Sequence, residues 1–265
     1  MIDRQNLKAH EKFGFKFERN GAHTARTIMV DELETLLTYV NNENASRSDY
    51  LQAIEENNCL NKRSGKTRIL TYRHLVDLYA LDPSFILYRT LIYFWKREST
   101  GLPLLALLCA FARDSVLRAA TPFVLAFKPG EIIKREALEA FIDQLEPDRF
   151  SPATLKSVAQ NINSSLTKSG HLYGKAVKTR VKATATPGTM AYALLLSYLC
   201  GARGRSLFST DYVKLLECTF DQAIELTQDA ARKGWLVFKH VGDVIEVVFP
   251  NLINEQEKEW LREQG

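Results

Sequence analysis

Acid is missing from two stretches of this 265-residue chain, and that absence is the most informative feature of its composition. Between Phe150 and Thr210 there is no Asp or Glu, yet Lys156, Lys168, Lys175, Lys178, Arg180, Lys182, Arg203 and Arg205 all fall there. A second acid-free window, Asn57 to Val76, holds Lys62, Arg63, Lys66, Arg68 and Arg73. The formal net charge is only +4, so the rest of the chain is net acidic. Charge segregated in this way focuses a positive field, and the commonest target of such a field is phosphate. The plainer alternative is a pair of solvated basic loops.

Other absences exclude whole classes of function. The four cysteines (Cys59, Cys109, Cys200, Cys218) form no C-x-x-C pair, and three lie in apolar runs. They read as buried free thiols of a reducing compartment, with the cytoplasm as the expected location. The N-terminus is polar and charged, unlike a secretory signal. The longest apolar run, Leu102 to Ala112, ends at Arg113-Asp114, well short of the ~20 residues of a membrane span. The five histidines are scattered and no H-E-x-x-H occurs, which argues against zinc. There is no G-x-S-x-G elbow, and no Asp-x-Lys or Glu-x-Lys of the kind nucleases use. Gly65-Lys66-Thr67 imitates the end of a P-loop, but Leu60 stands where that motif needs its first glycine. The expectation is a protein without catalytic residues, metal, cofactor, small-molecule substrate or membrane contact. Glu131, Glu136, Glu139 and Asp143 read as a solvated helix face.

What is present reads as helix. Residues 1 to about 25 are polar and are expected to be loosely held. Asp31 with Glu34 resembles a capping box opening a helix with Leu33, Leu36, Leu37 and Val40 inward. A second helix starts at Ser46 or Ser48, the basic segment 62–68 forms a turn, and a third helix runs from about Ile69 to Tyr79. Asp82-Pro83 opens another. Leu104 to Phe111 is apolar nearly all round and predicts a buried central helix. Helices near 115–126 and 132–145 follow, the latter with Ile132, Ile133 and Leu145 as core candidates.

Two later segments share one grammar of helix, turn, helix, glycine and hairpin. In the first, Ser151-Pro152 caps a helix to Lys168, Gly170 stops it, and 171–173 pairs with 177–182. In the second, a buried helix at 192–199 precedes 211–217. Thr219 and Gln222 then cap a helix to Lys233, and Trp235–Lys239 pairs with Val244–Phe249. Helices followed by a hairpin give the winged-helix order, a variant of the helix-turn-helix. The expected fold is therefore mainly α, a helical bundle with helix-turn-helix or winged-helix units and short β-hairpin wings. The expected domains are 1–80, 81–186 and 187–265.

The helix 152–168 presents Leu155, Val158, Ile162 and Leu166 at helical spacing. Opposite them stand Lys156, Gln160, Asn161, Asn163, Ser164, Thr167 and Lys168. Asn and Ser are mediocre helix formers, but Asn and Gln can pair with adenine edges and Lys reaches guanine or phosphate, so this face suits a recognition helix in a major groove. Lys175, Lys178, Arg180 and Lys182 would be wing residues on phosphate or in the minor groove. In the turn, Ser64 and Thr67 offer donors while Lys62, Arg63, Lys66 and Arg68 add charge, as in a phosphate clamp. The second unit carries Asp221, Glu225 and Asp229 in the equivalent helix. Acid there repels a phosphate backbone, so 187–265 reads as a protein-contact module.

Asn58-Cys59-Leu60-Asn61-Lys62-Arg63-Ser64 with Thr67 and Arg68 resembles the N-x-L-x-K-R-S-x-x-T turn of the BrxA proteins of bacterial BREX phage-resistance systems. Phe150-Ser151-Pro152-Ala153-Thr154-Leu155-Lys156, a long helix and Ser169-Gly170-His171-Leu172 continue the likeness, which covers residues 28–175. The resemblance implies a small, helical, DNA-binding accessory protein with no known catalytic residues, and it points to Lys62, Arg63, Ser64, Thr67, Ser151, Thr154 and Lys156. This helix departs from the family pattern in being richer in Asn and Ser than in Arg. The C-terminal unit looks like an addition. The expected partners are double-stranded DNA and other proteins of the same defence system. A sequence-specific transcription regulator and a protein-interaction scaffold are the alternatives.

Overall fold

A computed structural model describes residues 10–17 and 21–263. The chain is mainly helical, with two small antiparallel sheets. In order come α1 (Val30–Val40), α2 (Arg47–Glu55), α3 (Gly65–Tyr79), α4 (Ile86–Trp95), α5 (Leu102–Arg113) and α6 (Ser115–Leu125). Strand β1 (Ile132–Ile133), α7 (Arg135–Leu145), α8 (Pro152–Lys168), β2 (Leu172–Tyr173) and β3 (Lys178–Arg180) follow. The remainder is α9 (Pro187–Leu199), α10 (Asp211–Lys214), α11 (Phe220–Arg232), β4 (Val237–Val241), β5 (Val244–Val248) and α12 (Glu255–Arg262).

Helix α5 is the axis. Every side chain from Leu104 to Arg113 is buried, because α3, α4, α6 and α9 all pack on it. A helix that is apolar all round has no stable place but the interior. Helix α9 is equally enclosed and lies against both α4 and α5. The buried side chains form one continuous cluster from Phe13 to Leu261, so residues on either side of the expected boundaries at 80 and 186 share a core. Helix α12 closes the molecule: buried Glu257 takes two hydrogen bonds from Arg89 of α4, at 2.7 and 2.9 Å.

Helix starts follow their caps. Ser46 and Asp49 form a capping box, as do Thr219 with Gln222 and Asn254 with Glu257, each satisfying amide donors that the helix leaves open. Five expectations need correction. Helix α1 begins one residue before Asp31, capped by no side chain, with Met29 at φ 48° in the left-handed region. Asp82-Pro83 forms a turn, and α4 starts at Ile86. Ile132 and Ile133 are a strand rather than helix, because β1 pairs with β3 through Ile132 opposite Thr179 and Ile133 opposite Lys178. Of these core candidates, Ile132 and Leu145 are exposed. The early segment is also packed rather than loose: Phe13, Phe15 and His23 are buried, while residues 1–9 and 18–20 lie outside the described residues.

Candidate nucleic-acid interface

Helix α8 has the limits the sequence predicts, from the Ser151 cap, whose hydroxyl accepts from the Thr154 amide, to Lys168. Its two halves differ. In the N-terminal half Lys156, Ser157 and Gln160 are exposed, while Val158, Ala159 and Ile162 face the core. In the C-terminal half Asn163 and Ser165 are buried together with Leu166. Asn161 is half-buried and donates through Nδ2 to the His23 carbonyl at 3.0 Å, Ser164 is half-buried, and Lys168 is tied to Asp31. Asn161 and Asn163 are therefore withdrawn from any groove of a duplex.

The cause is a clamp from the chain's own N-terminal part. The 3-10 turn Ala22–Thr24 lies against the back of α8. His23 Nδ1 sits 2.8 Å from Asp114 Oδ2, and its Nε2 sits 2.9 Å from Ser165 Oγ. Ser165 Oγ also accepts from the Ile28 amide at 3.0 Å and donates to the Asn161 carbonyl at 2.7 Å. Asp114 further accepts from the amides of His23, Val116 and Leu117. Burial pushes its carboxyl up, but His23 and these amides together hold it below the usual carboxylate range. Ser, His and Asp are thus connected as in a hydrolase triad, but Ser165 and His23 expose no surface and Ser165 is committed to three partners. The arrangement fastens α8 in place. Nothing in the local sequence announces it, since its members lie 91 and 142 residues apart.

The first hairpin corrects a second expectation. β3 is central, between β1 and β2. Residues 178 and 180 share one face of a strand and 179 the other. The face of Lys178 and Arg180 turns inward with Ile133 and Leu172. Arg180 is 1% exposed, its guanidinium bonded to both carboxylate oxygens of Glu217 and to the carbonyls of His171 and Val181. Glu217, at φ 52°, also accepts from the Ala183 amide at 3.1 Å. The left-handed backbone costs a non-glycine residue roughly 1–2 kcal/mol, and here it aims the carboxylate at Arg180. Lys178 bends back to Thr167 Oγ1 at 2.9 Å and the Gly174 carbonyl at 2.6 Å, and burial lowers its pKa. Of the hairpin cations, Lys175 and Lys182 alone are exposed, and neither forms an ion pair with a described residue.

The basic turn is half helix. Ser64 caps α3, so Gly65, Lys66, Thr67 and Arg68 make its first turn. Arg63, Ser64 and Lys66 are exposed, whereas Arg68 donates to the Glu55 carbonyl at 2.8 Å and Lys62 pairs with Glu32 at 3.1 Å. The first turn of α1 therefore holds both acid-free segments, Glu32 taking Lys62 and the adjacent Asp31 taking Lys168.

No family model matches the chain, and no curated protein matches it. Among the described residues no group of three or more His, Cys, Asp or Glu side chains is placed to hold a metal, and no helix is long and apolar enough to cross a membrane. Burial raises the thiols of Cys109 and Cys200 to about 12, which keeps both protonated at neutral pH. A groove of about 700 Å³ between α6 and α10 combines Lys182 and Lys214 with Asp211 and Glu217, so its charges cancel.

Proposed function

We propose that the chain is a non-catalytic, duplex-DNA-binding accessory protein of a bacterial phage-defence system of the BREX kind, holding DNA mainly through phosphates. The observation that carries this reading is the convergence at the start of α1. Two acid-free segments about a hundred residues apart in sequence are fastened to consecutive carboxylates, and Arg63, Lys66, Lys175 and Lys182 are exposed without an ion pair to a described residue. Lys156 extends the positive surface along α8. Helices α6, α7 and α8 followed by the hairpin of β2 and β3 support a winged-helix reading of this unit, and the likeness of residues 58–68 and 150–172 to the BrxA proteins supplies the defence setting. Inward-turned Asn161 and Asn163 favour phosphate binding over the sequence-specific regulator, because only Gln160 remains to read a base edge from the middle of α8.

The test is fluorescence anisotropy on a random 30-base-pair duplex across salt concentrations. With about five phosphates neutralised, log affinity falls with log salt at a slope near −4.5, and Lys156/Lys175/Lys182→Ala lowers that slope by about 2.7. Each substituted side chain is exposed, so the variant keeps the wild-type melting temperature. Absence of binding by the folded wild type at low salt would overturn the proposal.

A further inference from the structure

The outward face of the first hairpin is apolar. Ile132, Thr179 and Tyr173 lie in one row across β1, β3 and β2, since Thr179 is the register partner of both others. Ile132 is 60% exposed, Tyr173 73% and Val177, at the far end of the turn, 57%. Scattered exposed apolar residues are ordinary. Here they adjoin, and Tyr173 and Val177 flank Lys175 at the hairpin's end. The turn is also braced. Gly174 has φ 99°, and any Cβ there would strike the Val177 carbonyl. Lys178 Nζ pins the Gly174 carbonyl to Thr167 of α8. Behind it the Arg180–Glu217 pair anchors β3.

A braced turn with two apolar side chains around a lysine is the form of a wedge. Proteins that enter a minor groove drive such side chains against a base step, unstack it and bend the duplex, while nearby cations hold the phosphates. Charge complementarity selects this occupant: β2, β3 and their turn lie in the acid-free stretch, and Lys175 is the exposed charge at the turn. We propose that Tyr173 and Val177 wedge a base step from the minor groove, with Lys175 on the adjoining phosphate, so that the protein bends the DNA it holds. The inference rests on the duplex-binding reading. It adds a preference for flexible pyrimidine–purine steps, which unstack at the lowest cost.

Two duplex probes separate this proposal from the reading beneath it. One carries 2-aminopurine at a central TA step, and the other carries a donor and acceptor at its ends. The wild type should raise 2-aminopurine emission severalfold and increase energy transfer. Tyr173→Ala/Val177→Ser should lose both signals while binding within about tenfold of the wild type, because the lysines still meet phosphate. Tyr173→Phe should keep both, since the wedge needs the ring and not its hydroxyl. Tight anisotropy binding with no change in either signal would overturn the wedge and leave DNA binding standing. Absence of binding would overturn both.

Discussion

The two helix-and-hairpin units follow one grammar and differ in the charge of their exposed helix faces. In the first, α8 shows Lys156 and Gln160, and its hairpin turns on Tyr173-Gly174-Lys175-Ala176-Val177. In the second, α11 shows Asp221 and Glu225, and its hairpin turns on Val241-Gly242-Asp243-Val244. Cations in the second unit are largely spoken for: Arg232 pairs with Asp229, Lys239 lies 2.8 Å from Glu246, Arg205 lies 3.8 Å from Asp243, and Lys233 sits over the Trp235 ring. Order of elements sets a shape in both places. The charge left unpaired on that shape decides what it can hold. The second unit leaves little for phosphate, and its α9 is packed into the central core, which suits a contact with protein or a purely structural part.

The contrast can be broken most forcefully at the junction. Arg180→Ala removes the guanidinium that holds both carboxylate oxygens of Glu217 and should cost about 3–5 kcal/mol, the usual loss when one member of a buried pair is removed. Urea unfolding measures it. Arg180→Met/Glu217→Leu should recover most of that loss, because apolar replacements leave no charge to desolvate. A loss near zero for Arg180→Ala would mean the pair is not buried as described. The contrast is sharpened next by Asp221→Lys/Glu225→Lys, which puts the first unit's charge on α11. If charge rather than shape separates the units, duplex affinity should rise about tenfold and the salt slope should steepen by up to about 1.8. Unchanged affinity would mean that α11 cannot approach a duplex.

The smallest effect is on pH. Burial lowers the pKa of His171, whose Nε2 donates to the Leu215 carbonyl at 2.8 Å and whose Nδ1 meets Ser169. The unfolded chain binds the proton first as pH falls below its ordinary 6.5, so the stability that neutral His171 contributes is complete above that value. It is lost as pH drops toward the lower folded pKa. Melting temperature should therefore fall more between pH 7 and 5 in the wild type than in His171→Gln. Parallel profiles would exclude His171 as the cause.

Much of the fold is legible in local pattern. Ser151-Pro152, Gly170, Thr219-Gln222 and Gly234 mark ends that chemistry alone dictates, and the apolar run at 104–111 can only be interior. The candidate interface is less legible for a physical reason. Strands of two or three residues are too short to show which face is inward, so Lys178 and Arg180 look like free cations until Thr167 and the Gly174 carbonyl are seen to hold the first and Glu217, 37 residues on, the second. Asn161 looks like part of an open polar face because the turn that holds it lies far upstream. Asp31 reads as a cap, yet it serves as the partner of Lys168. In each case a distant residue overrides what its neighbours advertise.

The clamp on α8 also sets an order of assembly. His23 leaves the ribosome 142 residues ahead of Ser165, an interval of roughly 7–28 s at ordinary rates of synthesis. Through that time Asp114 arrives first and can hold His23 alone, while the imidazole's other nitrogen has no serine to meet. Helix α8 therefore emerges after both His23 and Asp114, and the hairpin that follows it gains its anchor only once Glu217 has been made. A nascent chain halted before residue 217 would carry Arg180 without its buried counter-ion and an incompletely anchored hairpin.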